Sequence, residues 1–548
     1  MIILEKVKNV LKKNKLLRKI LGKNVCVIGN TCIDYSLVIK NSANFGCALN
    51  DILVANSKIW NAKHNLIGLG RLDKVLSNIY NKDINDKIIT RENAITLLSE
   101  FFKSLHKDYY IKSASLPGDT GQVIILGGLE PNGKYFCNDL TYLILEVLMQ
   151  LHLPEPKIVL RVSKDMPREI MVLAIKSIAT GIGSPLLAND DVIIPALEQF
   201  GYDKVDSYNY VVSACWEPYV WGKSLDQNNI SSINYTEPLI RVFSHQINEI
   251  KNYDSLVDLY LKELGVYIKK IITEVDKLRF KKAPILSSFN EDCLATNKDL
   301  SLGGAKYNNY GFTAVGLANV INSLLNVKKF VYDEEKYTLQ ELNALRTKNH
   351  PDQTVLQNLK ANQFFGRPTP DVLDLINKIT NVIENEIKDY RNYLGGKIKF
   401  GYSSPAYINA GKTAVATFDG RKNGEPLNVH ISGYAGQPIT ELFNFAGKLD
   451  YSGAKINGNV VDFFVSPTQI NDSFNKFVDL IFVAINQGFY EMQFNVVSSQ
   501  QLIAAKNNPE KYKDLIVRVW GFSSYFNDIP KEYQDLLIKR ALDNETAN

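Results

Sequence analysis

Val517-Arg518-Val519-Trp520-Gly521-Phe522-Ser523-Ser524-Tyr525-Phe526, close to the C-terminus, governs how the remainder of the chain is interpreted, with Gln534, Ile538 and Arg540 following it. An apolar-polar run that ends in Gly and Ser is ordinarily a strand entering a turn, the glycine supplying a backbone shape that other residues resist. On that reading Gly521 is punctuation.

The complete string resembles the signature of the glycyl radical enzymes: Arg-Val-x-Gly-Tyr/Phe-Ser, a Phe five residues after the Gly, then Gln and Ile on a helix. The chemistry of that family explains why the residue is glycine. Loss of one hydrogen from a glycine Cα leaves a planar radical stabilised by the amide nitrogen on one side and the carbonyl on the other. A Cβ would crowd that planar state.

Outside this stretch, 548 residues suit one large domain or two or three smaller ones. With 45% hydrophobic and 22% charged residues the chain has ample core-forming material. A net charge of +5 over such a length is no nucleic-acid signature. The six cysteines form no Cys-x-x-Cys pair and the six histidines show no metal-ligand spacing, which argues against a disulfide scaffold, a structural zinc site and any bound metal.

Residues 1–23 have Ile3, Val7, Val10, Leu11, Leu17, Ile20 and Leu21 at helical spacing with lysines between, a basic amphipathic segment read as a surface or packing helix. It is too often interrupted by charge for a signal-peptide core, and no later run is long and apolar enough to span a membrane, so the expected location is cytoplasmic. From Asn24 to about Trp60 a short strand-like run, Val25 to Ile28, stands among polar turns without a motif. The family resemblance begins at Leu66-Ile67-Gly68-Leu69-Gly70-Arg71-Leu72-Asp73, and Thr90-Arg91-Glu92-Asn93-Ala94 opens a helix. No third glycine follows Gly68 and Gly70 to make a nucleotide loop. Between Val123 and Gly201, strands (Val123 to Gly128, Ile158 to Val162) alternate with helices (Leu140 to Leu151, Ile170 to Ile178), the pattern of an α/β domain.

Val211-Val212-Ser213-Ala214-Cys215-Trp216-Glu217-Pro218 follows. A free cysteine is ordinarily a small buried hydrophobe. In this order within the chain, however, the string is similar to the family's cysteine loop. Cysteine suits it because its S–H bond is near the glycyl Cα–H bond in strength, so hydrogen transfer runs both ways. Pyruvate formate-lyase carries two adjacent cysteines there, and Ala214 in place of one speaks against acyl transfer from pyruvate. Glu217 resembles the Cys-x-Glu arrangement of the eliminating members and of the arylacetate decarboxylases, where a carboxylate can take a substrate hydroxyl proton. Further stretches are similar to family blocks: Pro284 to Phe289, Ser301 to Asn308, a helix from Gly316 to Leu325, helical periods from Asp371 to Leu394, Ala416 to Arg421, and a strand at Gln493 to Val497. Cys293 reads as a packed thiol.

The resemblance covers residues 65–545. It implies an α/β fold: a ten-stranded barrel of two five-stranded half-sheets surrounded by helices, with the cysteine loop and the glycyl radical loop meeting inside. The expected domains are an N-terminal segment 1–64, a barrel domain 65–500 and a glycyl radical domain 501–548. The implied catalytic residues are Gly521, Cys215 and Glu217, with no bound cofactor. A separate radical-SAM activase, with an iron-sulfur cluster and S-adenosylmethionine, would install the radical at Gly521. A small-molecule substrate and a homodimer are the other expected partners, and neither nucleic acid nor a membrane is. Elimination is the expected reaction, with radical decarboxylation or formate acetyltransferase-like C–C cleavage as alternatives. A non-catalytic scaffold or regulator of a full-length enzyme is the reading from another class. The family's members carry a much longer region before the Gly-Leu-Gly-Arg-Leu-Asp block, so the resemblance is to an N-terminally shortened member without assignable substrate contacts.

Overall fold

A computed structural model describes residues 25–26, 31–61, 67–110, 118, 120–213, 216–519 and 521–545. The basic segment 1–23 lies outside them. At the centre is a six-stranded sheet in the order Val460–Val465, Glu491–Val496, Leu186–Asn189, Lys157–Val162, Val123–Gly127 and Gly70–Arg71. Neighbours are parallel except Glu491–Val496 against Leu186–Asn189, which are antiparallel. That seam joins two halves of opposite strand direction.

Each half extends further. Ile67–Gly68, one residue upstream of Gly70, pairs in parallel with Thr31–Cys32. On the other flank the Asn457 N–H donates to the Phe400 carbonyl at 2.9 Å, and the Tyr402 N–H to the Gly458 carbonyl at 3.1 Å. These bonds lead to the parallel sheet of Ile398–Phe400, Tyr310–Val315 and Gln227–Asn234. Two halves of five strand positions each are the arrangement that the sequence implies. Among the described residues the ladders remain separate sheets and do not close into a ring.

Lys157–Val162, Val460–Val465 and Glu491–Val496 carry polar side chains where an ordinary half-buried strand would meet water, yet these are enclosed. Along Glu491–Val496, side chains alternate between the two faces. Met492, Phe494 and Val496 point outwards under helices; the Phe494 ring lies 6.1 Å from Phe477 of the helix Phe474–Gln487 and 4.6 Å from its strand neighbour Phe463. Glu491, Gln493 and Asn495 share the other face and are equally buried. With Asp462 at the register position of Gln493, they line the interior between the halves.

Helices follow from capped amphipathic segments. Thr90 and Asn93 form a reciprocal capping box for Arg91–His106, and Asn138 and Thr141 one for Asp139–Leu151. The helix from Pro370 stops at Ile387, short of the expected Leu394. Phe45–Asn61, a helix in the stretch that carries no motif, buries Phe45, Ala48, Leu49, Ile52 and Ile59. Among the described residues no helix is long and apolar enough to cross a membrane.

Candidate active site

Two hairpins meet in the interior. The first joins Tyr210–Val212 to Pro218–Val220 in antiparallel register, Val212 opposite Pro218. Its tip is closed by the Ser213 N–H donating to the Glu217 carbonyl at 2.9 Å and the Trp216 N–H to the Ser213 carbonyl at 3.1 Å. Ala214 and Cys215, between these residues, lie outside the described ones. Trp216 adopts φ +81°, a backbone state that a bulky side chain holds only under constraint. The constraint is visible: its indole N–H donates to Gln493 Oε1 at 3.2 Å, and the side chain is wholly buried.

The second hairpin pairs Ile516–Arg518 with Ser523–Tyr525, Arg518 opposite Ser523. The Val519 N–H donates to the Phe522 carbonyl at 3.0 Å, so Gly521 sits in the turn at the tip, at φ +58°. Gly521 is therefore also the turn residue of the ordinary reading. Asn495 holds the base of this hairpin, accepting from the Arg518 N–H at 2.7 Å and donating to its carbonyl at 2.9 Å. From the opposite half, Lys157 Nζ donates to the Gly521 carbonyl at 2.7 Å in a buried setting.

Gln493 couples the hairpins. Its Oε1 accepts from the Trp216 indole and also from Arg518 Nε at 3.0 Å, and the Arg518 guanidinium lies 5.6 Å from the Trp216 ring centroid. One amide oxygen thus touches the cysteine-bearing loop and the glycine-bearing loop at once.

Glu217 is 1% exposed and accepts a hydrogen bond from the Ser213 hydroxyl. Lys399 Nζ reaches the Pro218 carbonyl at 2.6 Å, Asp226 Oδ2 at 3.1 Å and the Tyr202 hydroxyl at 3.2 Å. Burial pulls the Lys399 ammonium below its ordinary range, against the opposing pull of Asp226, Glu217 and Glu491. Burial raises the carboxyl of Glu491 well above the usual carboxylate range, and the Glu217 charge adds to this; the Asn459 amide and Lys399 oppose it. Cys293 is buried elsewhere with its thiol pushed up to about 12, chiefly by desolvation, which suits a packed thiol. Among the described residues no three or more His, Cys, Asp or Glu side chains gather as a metal site would require.

Sequence reading singled out Gly521 and Glu217, and the fold brings their hairpins into one enclosure. It missed Lys157, Lys399, Gln493 and Glu491. Their only linear signal is a charged or amide side chain on an inward strand position, which by alternation alone reads as a solvent-facing one.

Comparison with known proteins gives the same frame. The model of the pyruvate formate lyase-like family matches residues 43–406, and the glycine radical model matches residues 430–527. The chain is 27% identical over 516 residues to the (2S)-3-sulfopropanediol dehydratase of Klebsiella oxytoca, covering 86% of this chain and 62% of that one. It is 26% identical over 505 residues to the trans-4-hydroxy-L-proline dehydratase of Clostridioides difficile, covering 86% and 64%. The chain thus spans a little under two thirds of the length of these relatives. Among solved structures, the glycerol-bound B12-independent glycerol dehydratase from Clostridium butyricum superposes with a TM-score of 0.84 at 28% identity, covering 91% of this chain and 67% of that one.

Proposed function

The chain belongs to the pyruvate formate lyase-like glycyl radical proteins, and on that premise we propose that it is a radical lyase that eliminates a group from a small hydroxylated molecule. The observation that carries this reading is the shared Gln493 oxygen, which draws the loop of Cys215 and Glu217 against the hairpin of Gly521. Names of the relatives support elimination over decarboxylation or C–C cleavage, since those described above are dehydratases.

In the proposed cycle a radical-SAM activase removes one hydrogen from Gly521 while its hairpin is swung out. Once reseated, Gly521 takes hydrogen from the Cys215 thiol, and the thiyl takes one from a carbinol carbon of the substrate. Glu217 accepts the hydroxyl proton. The ketyl-like radical then expels the neighbouring group with its bonding electron pair, and the resulting α-carbonyl radical recovers hydrogen from Cys215. Enclosure serves this chemistry by keeping water and stray hydrogen donors away. Gly521, Phe522 and Trp216 are all buried. The protein supplies positioning and the radical supplies reactivity.

The test is anaerobic incubation with the activase and S-adenosylmethionine, followed by EPR. A doublet from the one remaining α-hydrogen, absent in Gly521→Ala and present without turnover in Cys215→Ser, is the expected result. Turnover that survives Gly521→Ala would sink the reading. Absence of a doublet, with an activase proven on another protein, would favour a scaffold or regulator.

A further inference from the structure

Lys399 stands at the middle of Ile398–Phe400, its side chain wholly buried together with that of Asp226. An ammonium has three N–H donors and no acceptor. Each donor has an acceptor here: Asp226 Oδ2 at 3.1 Å, the Tyr202 hydroxyl at 3.2 Å and, at the shortest distance, the Pro218 carbonyl at 2.6 Å. Asp226 is held in turn, its Oδ1 by the Asn309 N–H at 2.8 Å and its Oδ2 by the Tyr202 hydroxyl. The pair is therefore anchored independently of the hairpin that it contacts.

A buried ion pair is weak evidence for stability, because apolar residues of similar volume often serve as well, and its better-attested use is to set a register. The register at stake is that of the loop that carries Glu217. Pro218 stands opposite Val212 at the end of the ladder and has no N–H to donate to it. Its carbonyl is taken by Lys399, and on the other side of Glu217 the Trp216 indole is taken by Gln493. Glu217 is thus bracketed by two buried side-chain contacts, one from Ile398–Phe400 and one from Glu491–Val496. The second of these strands also holds the glycine hairpin, through Asn495 and Gln493. Both loops are referred to the same half of the molecule.

We infer that Lys399 is a positioning residue: its bond to the Pro218 carbonyl sets the depth of the cysteine loop against Gly521, and with it the rate of hydrogen transfer between Gly521 and Cys215. This role presupposes the relay proposed above. In that relay the Gly521 radical takes a hydrogen atom from the Cys215 sulfur, breaking S–H and forming Cα–H, and the thiyl takes one back in the reverse step. Lys399 acts on it only through the backbone. A misplacement of about 1 Å in such a transfer can cost about 10²-fold in rate.

The experiment installs the radical anaerobically without substrate, moves the protein into heavy water and follows the EPR doublet. The Cys215 S–H exchanges with solvent, so a return trip leaves deuterium at Gly521, and the doublet collapses to a singlet at the rate of the relay. Lys399→Met alone leaves Asp226 uncompensated and prone to misfold. The comparison therefore uses Asp226→Asn and the double variant Lys399→Met with Asp226→Asn. The first removes the ion pair and keeps an amine to reach Pro218; the second loses that bond as well, and both retain an acceptor for Asn309 and Tyr202. At matched doublet intensity, collapse in Asp226→Asn is expected within about threefold of the parent, and in the double variant at least about 10-fold slower. Equal rates in all three proteins overturn the role of Lys399. So does an equal slowing in both variants, which would assign the effect to the ion pair, or a double variant that does not fold, which would make Lys399 structural. A parent doublet that never collapses overturns the relay itself.

Discussion

Lys157 shows what a single side chain contributes at the glycine proposed to carry the radical. Its ammonium donates at 2.7 Å to the Gly521 carbonyl, the group that withdraws electron density from an adjacent Cα radical. A charge-assisted hydrogen bond there strengthens the withdrawal and also fixes the turn. Lys157→Met is expected to lower the yield of the EPR doublet and change its α-hydrogen splitting, with Lys157→Arg restoring most of both. An unchanged doublet in Lys157→Met would reduce Lys157 to packing. The turn at Gly521 was legible in the sequence because the string that carries it is local. Lys157 was not, because it meets Gly521 across 364 residues. For the same reason the bond from Trp216 to Gln493, 277 residues away, was not legible.

Among the elements, the C-terminal helix Lys531–Glu545 is what tethers the glycine hairpin. Arg540 reaches from it to Asp462 on the inward face of Val460–Val465 at 2.7 Å, and Gln534 donates to the Phe526 and Ile529 carbonyls. Removing one partner of a fully buried pair costs about 3–5 kcal/mol; the loss here is smaller because the Arg540 side chain is 22% exposed. Arg540→Met should therefore speed amide exchange across residues 516–545 and leave Lys157–Val162 and Val123–Gly127 protected. Uniform exchange in the two proteins would contradict the tether. Element types were mostly readable: strands and helices from Val123 to Ser177 fall within a few residues of their expected ends. Phe45–Asn61 was passed over although Phe45, Ala48, Leu49, Ile52 and Ile59 keep a helical period, because polar turns around it drew the reading to loops.

Among the described residues many polar groups are enclosed in the interior, which makes the stability of the fold sensitive to acid. His430 is buried, and desolvation brings its imidazole down to about 4 from an ordinary 6.5, with Asp462 opposing and Arg540 and Arg518 assisting. The neutral form is favoured in the fold. As pH falls from 6.5 to 4 the unfolded chain binds a proton that the folded one refuses, so stability is lost over that window and not above it. At about 1.36 kcal/mol per pH unit the loss is roughly 3 kcal/mol. Denaturant midpoints at about pH 7.5 and pH 4.5 should differ less in His430→Gln than in the parent protein, and an equal difference would remove His430 as the cause. The two-half architecture was legible only through resemblance, since lumen positions such as Glu491, Gln493 and Asn495 carry the polarity of a surface. The shared Gln493 oxygen has a thermodynamic corollary. Coupling between two sites is reciprocal: any ligand that steadies the tryptophan side of that contact holds the arginine side by the same free energy. Under the proposed function, a chain with substrate aboard would be a poor client for an activase, and a radical at Gly521 would be best guarded while there is something for it to act on.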